Sequence, residues 1–337
     1  MLYNAHMRTK IKKINYFNIK KAVKLLSQQQ IIGMPTETVY GLAANCFSDK
    51  AVLETFTVKN RQPDNPLIVH ISPEYNLDNL VLEVNDTAKK LMKAFWPGPM
   101  TLVFKSKQNV SKYVSRGLDT LAIRMPSSKK TIRLLKACPF PLSAPSANSS
   151  GRPSPTSAKT VYEDLKGKIP LILDGGKCDV GIESTVIDVT TEVPIILRPG
   201  IITQEDIDKV IQLKEYKIEN VHYNRSPGTK YKHYAPRCDM IVVDFSSKVD
   251  IRNLYDNSLK EGKNPVILCL KSQQKMYGKR KTFSLGKNID DLIKNFYTAL
   301  RVCEKKYNLI LFKGLERVGK GASMMNRVDK SCGGKIV

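Results

Sequence analysis

The chain has 337 residues, with 55 Lys or Arg against 31 Asp or Glu, so its formal net charge is +24. This length exceeds the usual size of a single domain and predicts two domains, each with its own core. The basic surplus either attracts polyanions such as nucleic acid or reflects only a lysine-rich, solvated surface. Seven scattered cysteines without a CxxC pair argue against a zinc or disulfide framework.

Several classes of protein are disfavoured by the sequence. No apolar run approaches the roughly 18 residues that a membrane span needs, and the N-terminal segment lacks the apolar core of a signal peptide. We therefore expect a cytoplasmic protein with reduced cysteines and no membrane attachment. Walker A, G-x-S-x-G and HExxH sequences are absent, which argues against the commoner NTPases and hydrolases.

Helix and strand patterns alternate over the first two hundred residues. Asn18 is predicted to cap a first helix, which precedes a strand at 31–34. Asp49 is predicted to cap a second helix, which ends near Lys59. Further short strands are predicted at 67–71, 101–104, 121–123, 171–173, 186–189 and 195–197. Strands that alternate with helices predict an α/β sheet.

The apolar periodicity fails between Gln212 and Arg237, where Ser226–Pro236 joins Ser-Pro-Gly to a basic, aromatic run. A segment this long without a helix pattern is either a functional lid or a tether, and its Tyr and His residues favour a lid. From Met240 the strand and helix patterns restart and predict a small βαβ-type domain. The predicted organisation is a catalytic domain at 17–203, a linker at 204–237 and a C-terminal α/β domain at 238–337.

Two polar loops each accompany short apolar runs, which suggests that they share a pocket. Lys59 and Arg61 lie two residues apart at a predicted helix end, and a Lys point charge beside a planar Arg fork suits polyphosphate oxygens. In isolation such a pair is usually a solvated surface feature. Ser146 and Asn148 lie in a loop of small residues that lets phosphate or ribose approach closely, although such a sequence is also typical of a plain turn.

Two arginines follow apolar runs. Arg124 is predicted to emerge at the end of a buried strand, where open α/β sheets bind ligands, and Arg198 repeats the arrangement. A buried Arg needs an anion, which is either a protein carboxylate or a substrate carboxylate. His70 ends another strand-like run, where positioning is the more typical role. Thr36 and Glu37 follow a strand at a Pro-marked bend, where they either cap the strand or line a site.

The motifs PTETVYGLAAN, KNRQPDNPLIVH, FWPGPMT, LAIRMP, SAPSANSSG, DGG, GIESTVID and LRPG, in this order, resemble the YrdC-type domain of the threonylcarbamoyl-AMP synthase family. SPGTKYKHYAP and the C-terminal half resemble the long, two-domain form of that family. The resemblance covers roughly residues 17–330. It implies an α/β fold with a YrdC-type twisted open α/β sheet domain, then a linker and a smaller Rossmann-like α/β domain. One departure is Gln62, which stands where the family usually has Pro directly after the Arg.

The resemblance implies a nucleotidyltransferase that joins L-threonine, bicarbonate and ATP into threonylcarbamoyl-AMP and releases pyrophosphate, for N6-threonylcarbamoyladenosine modification of tRNA. It implies Mg2+ that accompanies ATP, and a downstream tRNA threonylcarbamoyltransferase machinery as partner; direct binding of tRNA or other RNA is left open. Lys59 and Arg61 match the catalytic positions. The implied ATP contacts are Lys59, Arg61, Thr120, Ser146, Asn148, Ser154, Arg198 and Tyr234. The implied threonine contacts are Thr36, His70, Arg124, Ala144 and Ser184.

Two other functions stay open at this stage. A similar module occurs in carbamoyltransferases that act on other acceptors, but those carry acylphosphatase, zinc-finger or further catalytic parts that this chain lacks. A non-catalytic RNA-binding protein is the second alternative, because the net charge favours polyanions. It predicts RNA binding that weakens steeply with salt, without ATP turnover.

Overall fold

This computed structural model describes residues 7–62, 65–211 and 233–337. The chain packs as two units. Unit 1 comprises Met1–Ser150, Pro155–Asp179 and Glu183–Lys230, and unit 2 comprises Gly151–Ser154, Val180–Ile182 and Tyr231–Val337. The sequence predicts domains that are each one continuous stretch of chain. In the structure, two short segments from the middle of the sequence belong to the C-terminal unit instead.

Unit 1 is built on a mixed sheet that has ten strands within the described residues. In chain order they are β1 (Lys10–Lys13), β2 (Ile32–Met34), β3 (Gly41–Asn45), β4 (Ile68–His70), β5 (Met100–Lys105), β6 (Thr120–Arg124), β7 (Leu142–Ser143), β8 (Leu171–Asp174), β9 (Thr185–Asp188) and β10 (Ile195–Arg198). Their order across the sheet is β1-β8-β2-β3-β7-β4-β6-β5-β9-β10. The prediction of an open α/β sheet is confirmed.

The helices of unit 1 are α1 (Tyr16–Ser27), α2 (Asp49–Lys59), α3 (Asp86–Phe95), α4 (Lys112–Ser115), α5 (Lys129–Ala137), α6 (Ala158–Leu165) and α7 (Gln204–Asp208). Both predicted N-caps are wrong by a few residues. Asn15 caps α1, since its side chain accepts the backbone N–H of Asn18, which lies inside the first turn. Ser48 caps α2, and Asp49 is the first residue of that helix. There the negative charge of Asp49 stabilises the helix by interacting with the positive end of the helix dipole.

The two faces of this sheet carry different layers. On one face, α2, α3 and α6 pack apolar side chains against the strands. On the other face, α1 and α5 cover the half that contains β8, β2, β3 and β7, with Leu26 and Leu134 among the buried contacts. The remaining half of that second face, on β4, β6, β5 and β9, carries only a small apolar cluster around Ala122 and Val103. The candidate site lies on this half.

Among its described residues, unit 2 contains a four-stranded, all-parallel sheet. Its strands are β11 (Asp239–Val243), β12 (Pro265–Cys269), β13 (Thr282–Ser284) and β14 (Leu309–Lys313), in the order β11-β14-β12-β13. Its helices are α8 (Ile251–Lys260), α9 (Ile289–Cys303) and α10 (Gly319–Cys332). Parallel strands buried on both faces read as continuous apolar runs, as β12 does. The predicted Rossmann-like second domain is confirmed.

The predicted linker at 204–237 begins as a helix. A capping box between Thr203 and Asp206 starts α7, and Ile207 is buried in the core of unit 1. Most of the predicted lid, Ser226–Pro236, lies outside the described residues. Among the helices that the structure describes, none has the length and apolar character needed to cross a bilayer.

Candidate active site

In the loop after β2, hydrogen bonds of the Thr36 hydroxyl form a tight turn. Thr36 Oγ1 donates to the carbonyl of Val39 at 2.6 Å and accepts the backbone N–H groups of Thr38 and Val39, each at 3.2 Å. Thr36 and Thr38 hydroxyls lie 2.9 Å apart. This geometry is a side-chain-stabilised turn, so Thr36 has the strand-end role that its residue type allows. The turn also determines where the next side chain, Glu37, points.

Arg124, at the end of β6, donates to two side chains of this loop and to one backbone carbonyl outside it. Its Nη2 donates to Glu37 Oε1 at 2.5 Å, its Nη1 to Thr38 Oγ1 at 2.8 Å and its Nε to the Gly98 carbonyl at 3.3 Å. The side chains of Arg124 and Glu37 are 4% and 5% exposed. The sequence left open whether the anion that pairs with Arg124 is a protein carboxylate or a substrate carboxylate. In this structure it is a protein carboxylate. Burial raises the pKa of Glu37, but the charge and hydrogen bond of Arg124 outweigh it, so that pKa lies below its usual value.

His70 lies beside Arg124, because the two residues are register partners on β4 and β6 and share a sheet face. Burial, followed by the positive charge of Arg124, lowers the pKa of His70 to about 3. The imidazole is therefore neutral at physiological pH. Its buried Nδ1 has no hydrogen-bond partner within the described part of the chain. A neutral ring with such a nitrogen suits the positioning of a ligand, which stays a prediction.

The polar surface continues from Arg124 across β5. Thr101 is the register partner of Arg124 on β5, and its hydroxyl lies 2.7 Å from the Ser184 hydroxyl. Arg198 donates from Nη2 to Ser184 Oγ at 3.1 Å and from Nε to the Ser184 carbonyl at 3.1 Å. We call His70, Arg124, Thr101, Ser184 and Arg198 the polar row. All five residues are buried.

The second polar loop is held by Lys59, the last residue of α2. Its ammonium donates to the Asn148 carbonyl at 2.6 Å, to the Ser146 carbonyl and, more weakly, to Asn148 Oδ1 at 3.5 Å. Lys59 is only 2% exposed. Asn60 ends the helix in the left-handed conformation, and the Arg61 guanidinium lies over the Phe56 ring at 5.7 Å. Lys59, Ser146 and Asn148, predicted as neighbours, are in direct contact.

The loop that contains Ala144 links Lys59 to the polar row. The backbone N–H of Ala144 donates to the Ile68 carbonyl on β4 at 3.0 Å. Leu42 on β3 donates to the Pro145 carbonyl at 2.7 Å, and the N–H of Ala147 donates to the Tyr40 carbonyl at 2.8 Å. The loop therefore starts beside the strand of His70 and ends on Lys59, which brings the two predicted polar loops into one region.

Three predicted site residues are not members of the polar row. Thr120 is on the same face of β6 as Arg124 but four residues earlier, about 13 Å along the strand. Ser154 and Tyr234 belong to unit 2. There Tyr234 has a φ of 64° and packs on Tyr297 with 5.2 Å between ring centroids. Arg301, also in unit 2, donates to the carbonyl of Pro153 at 2.5 Å.

Sequence reasoning did not assign three residues that contact the site. Glu37 and Thr38 bind Arg124, whereas Thr101 contacts Ser184 and is the register partner of Arg124. The Thr-Glu-Thr run was visible as a polar cluster, but its partner is 87 residues away. Thr101 gives no signal of its own, because only the register of β5 against β6 places it in the polar row.

Within residues 7–62, 65–211 and 233–337, no group of three or more His, Cys, Asp or Glu side chains could hold an ion. A magnesium ion that arrives on the phosphates of ATP needs no such site and remains a prediction.

Two family models match the chain in tandem. The model described as "Telomere recombination" matches residues 24–200, and the model "Threonylcarbamoyl-AMP synthase, C-terminal domain" matches residues 202–333. The threonylcarbamoyl-AMP synthase of Pyrococcus abyssi is 40% identical over 335 residues, which cover 96% of this chain and 97% of that protein. The chain belongs to the threonylcarbamoyl-AMP synthase family.

A second relative and a solved structure support the same family assignment. The Bacillus subtilis threonylcarbamoyl-AMP synthase is 37% identical over 326 residues, covering 95% of this chain and 94% of that protein. A crystal structure of P. abyssi Sua5 complexed with L-threonine has a TM-score of 0.89 at 38% identity and covers 98% of each chain. The resemblance drawn from the ordered motifs is confirmed, and the match extends over both parts of the family's two-domain form.

Proposed function

We propose that this chain is an L-threonylcarbamoyladenylate synthase, a nucleotidyltransferase that makes threonylcarbamoyl-AMP and pyrophosphate from L-threonine, bicarbonate and ATP. The product would supply the tRNA threonylcarbamoyltransferase machinery that makes N6-threonylcarbamoyladenosine in tRNA. The observation that carries the proposal is the buried polar row of unit 1, in which Arg198 binds Ser184, the Ser184 and Thr101 hydroxyls meet, and Thr101 is the register partner of Arg124. The names of the relatives and the threonine complex of the P. abyssi protein support it.

The threonine half of the site would centre on Arg124. A guanidinium offers a planar pair of N–H donors that matches a carboxylate, and a buried one needs an anion. His70, neutral and adjacent, and Ser184 offer hydrogen bonds to the rest of the amino acid. The residues proposed to contact L-threonine are Thr36, His70, Arg124, Ala144 and Ser184.

The ATP half would centre on the Lys59 loop. Lys59 carries a buried positive charge at this loop and also determines its shape, since two loop carbonyls accept its N–H groups. Lys59 and Arg61 are proposed as the catalytic pair, which would neutralise the developing phosphate charge. The residues proposed to contact ATP are Lys59, Arg61, Thr120, Ser146, Asn148, Ser154, Arg198 and Tyr234. Mg2+ would enter with ATP as part of the substrate.

The proposed chemistry has two steps. The threonine ammonium and bicarbonate give the carbamate, one water and one proton. A carbamate oxygen then forms a bond to the α-phosphorus of ATP while the bond from that phosphorus to the bridging oxygen breaks, and pyrophosphate leaves. The protein would act by orientation and charge neutralisation rather than through a covalent nucleophile. The mixed anhydride is labile to water, so the segment Ser226–Pro236 remains our predicted lid.

The test is pyrophosphate release from ATP and bicarbonate, with and without L-threonine, beside a Lys59→Ala Arg61→Ala variant. We expect release that needs both threonine and bicarbonate and is lost in the double variant. Folded protein without threonine-dependent release would refute the proposal. A variant without Ser226–Pro236 tests the lid separately: unchanged turnover and an unchanged lifetime of the intermediate would contradict a lid role.

A further inference from the structure

One buried charge in the candidate site has no part in the proposed reaction. Glu37 is 5% exposed, and only its Oε1 atom is bonded to Arg124. Its other carboxylate oxygen, Oε2, is buried and makes no hydrogen bond of full geometry within the described residues, although the backbone N–H groups of Glu37 and Ser127 lie near enough to the carboxylate to lower its pKa. An unsatisfied oxygen on a buried carboxylate is costly, so its retention calls for a reason.

The guanidinium of Arg124 has five N–H groups, of which Gly98, Thr38 and Glu37 each take one. Two N–H groups are left for the substrate carboxylate that the proposed function assigns to this arginine. When that carboxylate binds, two negative groups lie at one guanidinium. The arrangement then lacks one positive charge, because burial lowers the pKa of His70 to about 3 and leaves its ring neutral.

An α-amino acid brings the missing charge with it. Its ammonium nitrogen lies on the carbon next to the carboxylate, so a carboxylate bound to Arg124 holds the ammonium within a few ångströms of the guanidinium. Glu37 is the carboxylate fixed at that place. It stays ionised at neutral pH, because Arg124 keeps the pKa of Glu37 below its usual value even though burial opposes it.

We propose that Glu37 binds the α-ammonium group of the amino acid substrate through its second carboxylate oxygen, so that Glu37 and Arg124 together recognise a zwitterion. This inference rests on the proposed function and adds a specificity residue to it. In the absence of substrate, the same carboxylate satisfies Arg124. The pair therefore selects α-amino acids over 2-hydroxy acids, which have the carboxylate but no cation.

The test compares the binding of L-threonine with that of its 2-hydroxy analogue, in which a hydroxyl replaces the ammonium, by titration calorimetry. We expect wild-type protein to bind threonine at least about tenfold more tightly than the analogue. In Glu37→Gln, threonine affinity falls about 10- to 100-fold, the range of one charge-assisted hydrogen bond, while analogue affinity changes little. The KM for threonine rises and the KM for ATP is unchanged.

Asp188→Asn is the matched control, because Asp188 is another buried carboxylate of unit 1 and accepts from Thr190 in the turn after β9. It should keep the wild-type preference for threonine. Equal losses of threonine and analogue affinity in Glu37→Gln would overturn the inference and leave Glu37 only a support for Arg124. Should Glu37→Gln fail to fold, Glu37→Asp keeps the charge and must keep the preference; a folded Glu37→Asp protein without it also overturns the inference.

Different results refute the proposed function and the role of Glu37. Wild-type protein that binds no threonine and releases no pyrophosphate refutes the proposed function itself. Wild-type protein that binds and turns over threonine, with a Glu37→Gln variant that still prefers threonine over the analogue, refutes only the role of Glu37.

Discussion

At the scale of single residues, two buried cations of unit 1 make different hydrogen bonds. Arg124 is paired with a carboxylate, so its charge is largely compensated inside the protein. Lys59 donates to the backbone carbonyls of Ser146 and Asn148 and to the Asn148 side-chain oxygen. Lys59 therefore fixes the shape of the loop that is proposed to receive the phosphates of ATP.

Lys59→Met tests this reading at similar side-chain length. It leaves the Ser146 and Asn148 carbonyls without their buried donor, which costs about 1–3 kcal/mol of unfolding free energy. We expect that loss in urea denaturation, together with a rise in the KM for ATP. Lys89→Met is the control, since Lys89 forms an exposed pair with Asp86 and should change stability by less than about 1 kcal/mol. Unchanged ATP kinetics in folded Lys59→Met would contradict a role in ATP binding.

His70 predicts a pH dependence of stability. Its folded-state pKa of about 3 lies below the usual value near 6.5, so the unfolded chain binds the extra proton first as the pH falls. The stability that depends on neutral His70 is intact above about pH 6.5 and is lost toward pH 3 at up to about 1.4 kcal/mol per unit. Urea denaturation between pH 7 and pH 5 should show a shallower decline for His70→Gln than for wild type. Parallel declines would contradict the buried, neutral imidazole.

At the scale of elements, the polar row depends on how closely the chain after β10 approaches the start of β9. A Cβ atom on Gly200 would lie 2.4 Å from the backbone nitrogen of Thr185 and 2.7 Å from the carbonyl carbon of Ser184. No side chain fits at such distances. The glycine therefore allows the segment after Arg198 to pass β9 while Arg198 still reaches Ser184.

Gly200→Ala should displace the start of β9 and weaken the contacts of Ser184 with Thr101 and Arg198. We expect reduced stability and a higher KM for threonine. Gly262→Ala serves as control, because Gly262 in unit 2 has a φ of 75° but open space around its Cβ position. That substitution costs about 1–2 kcal/mol through backbone strain and should leave the KM for threonine unchanged. Similar threonine kinetics in both variants would refute the link between Gly200 and the polar row.

At the scale of the whole molecule, the net charge of +24 is unevenly distributed along the chain. The first 36 residues contain no Asp or Glu, and α1 within them carries Lys20, Lys21 and Lys24. Residues 120–162 also lack acidic side chains, and α5 within them packs beside α1. Unit 1 therefore has a strongly basic pair of neighbouring helices, away from the half of the sheet that carries the polar row.

This charge predicts binding to tRNA that is separate from catalysis. Affinity measured by fluorescence anisotropy should fall more than about tenfold between 50 and 200 mM salt, through loss of counterion release. Lys59→Met should bind tRNA as wild type does, since Lys59 is buried. Affinity that does not depend on salt would contradict an electrostatic origin. RNA binding in a protein without threonine-dependent turnover would instead favour the non-catalytic alternative.

Much of the fold follows from local sequence. The strands β4, β5, β6, β8 and β9 coincide with predicted apolar runs, because most of their residues are buried in the sheet. β10 also coincides with a predicted run, although Ile195, Ile196 and Leu197 are only half-buried at the edge of the sheet. β1 gives no such signal, since its residues are exposed and only its pairing with β8 defines it. The cap of α1 was misplaced by three residues because Asn15 and Asn18 are equally good capping types.

The sequence by itself determined the family and the alternation of helices and strands. These features depend on residue order and on motifs that are complete within short stretches. Only the tertiary structure decided that Arg124 binds Glu37, that Lys59 binds the carbonyls of Ser146 and Asn148, that the hydroxyls of Thr101 and Ser184 meet, and that residues 151–154 and 180–182 belong to unit 2. Each of those hydrogen-bonded pairs lies more than 80 residues apart and depends on strand register and loop packing, which local patterns do not encode.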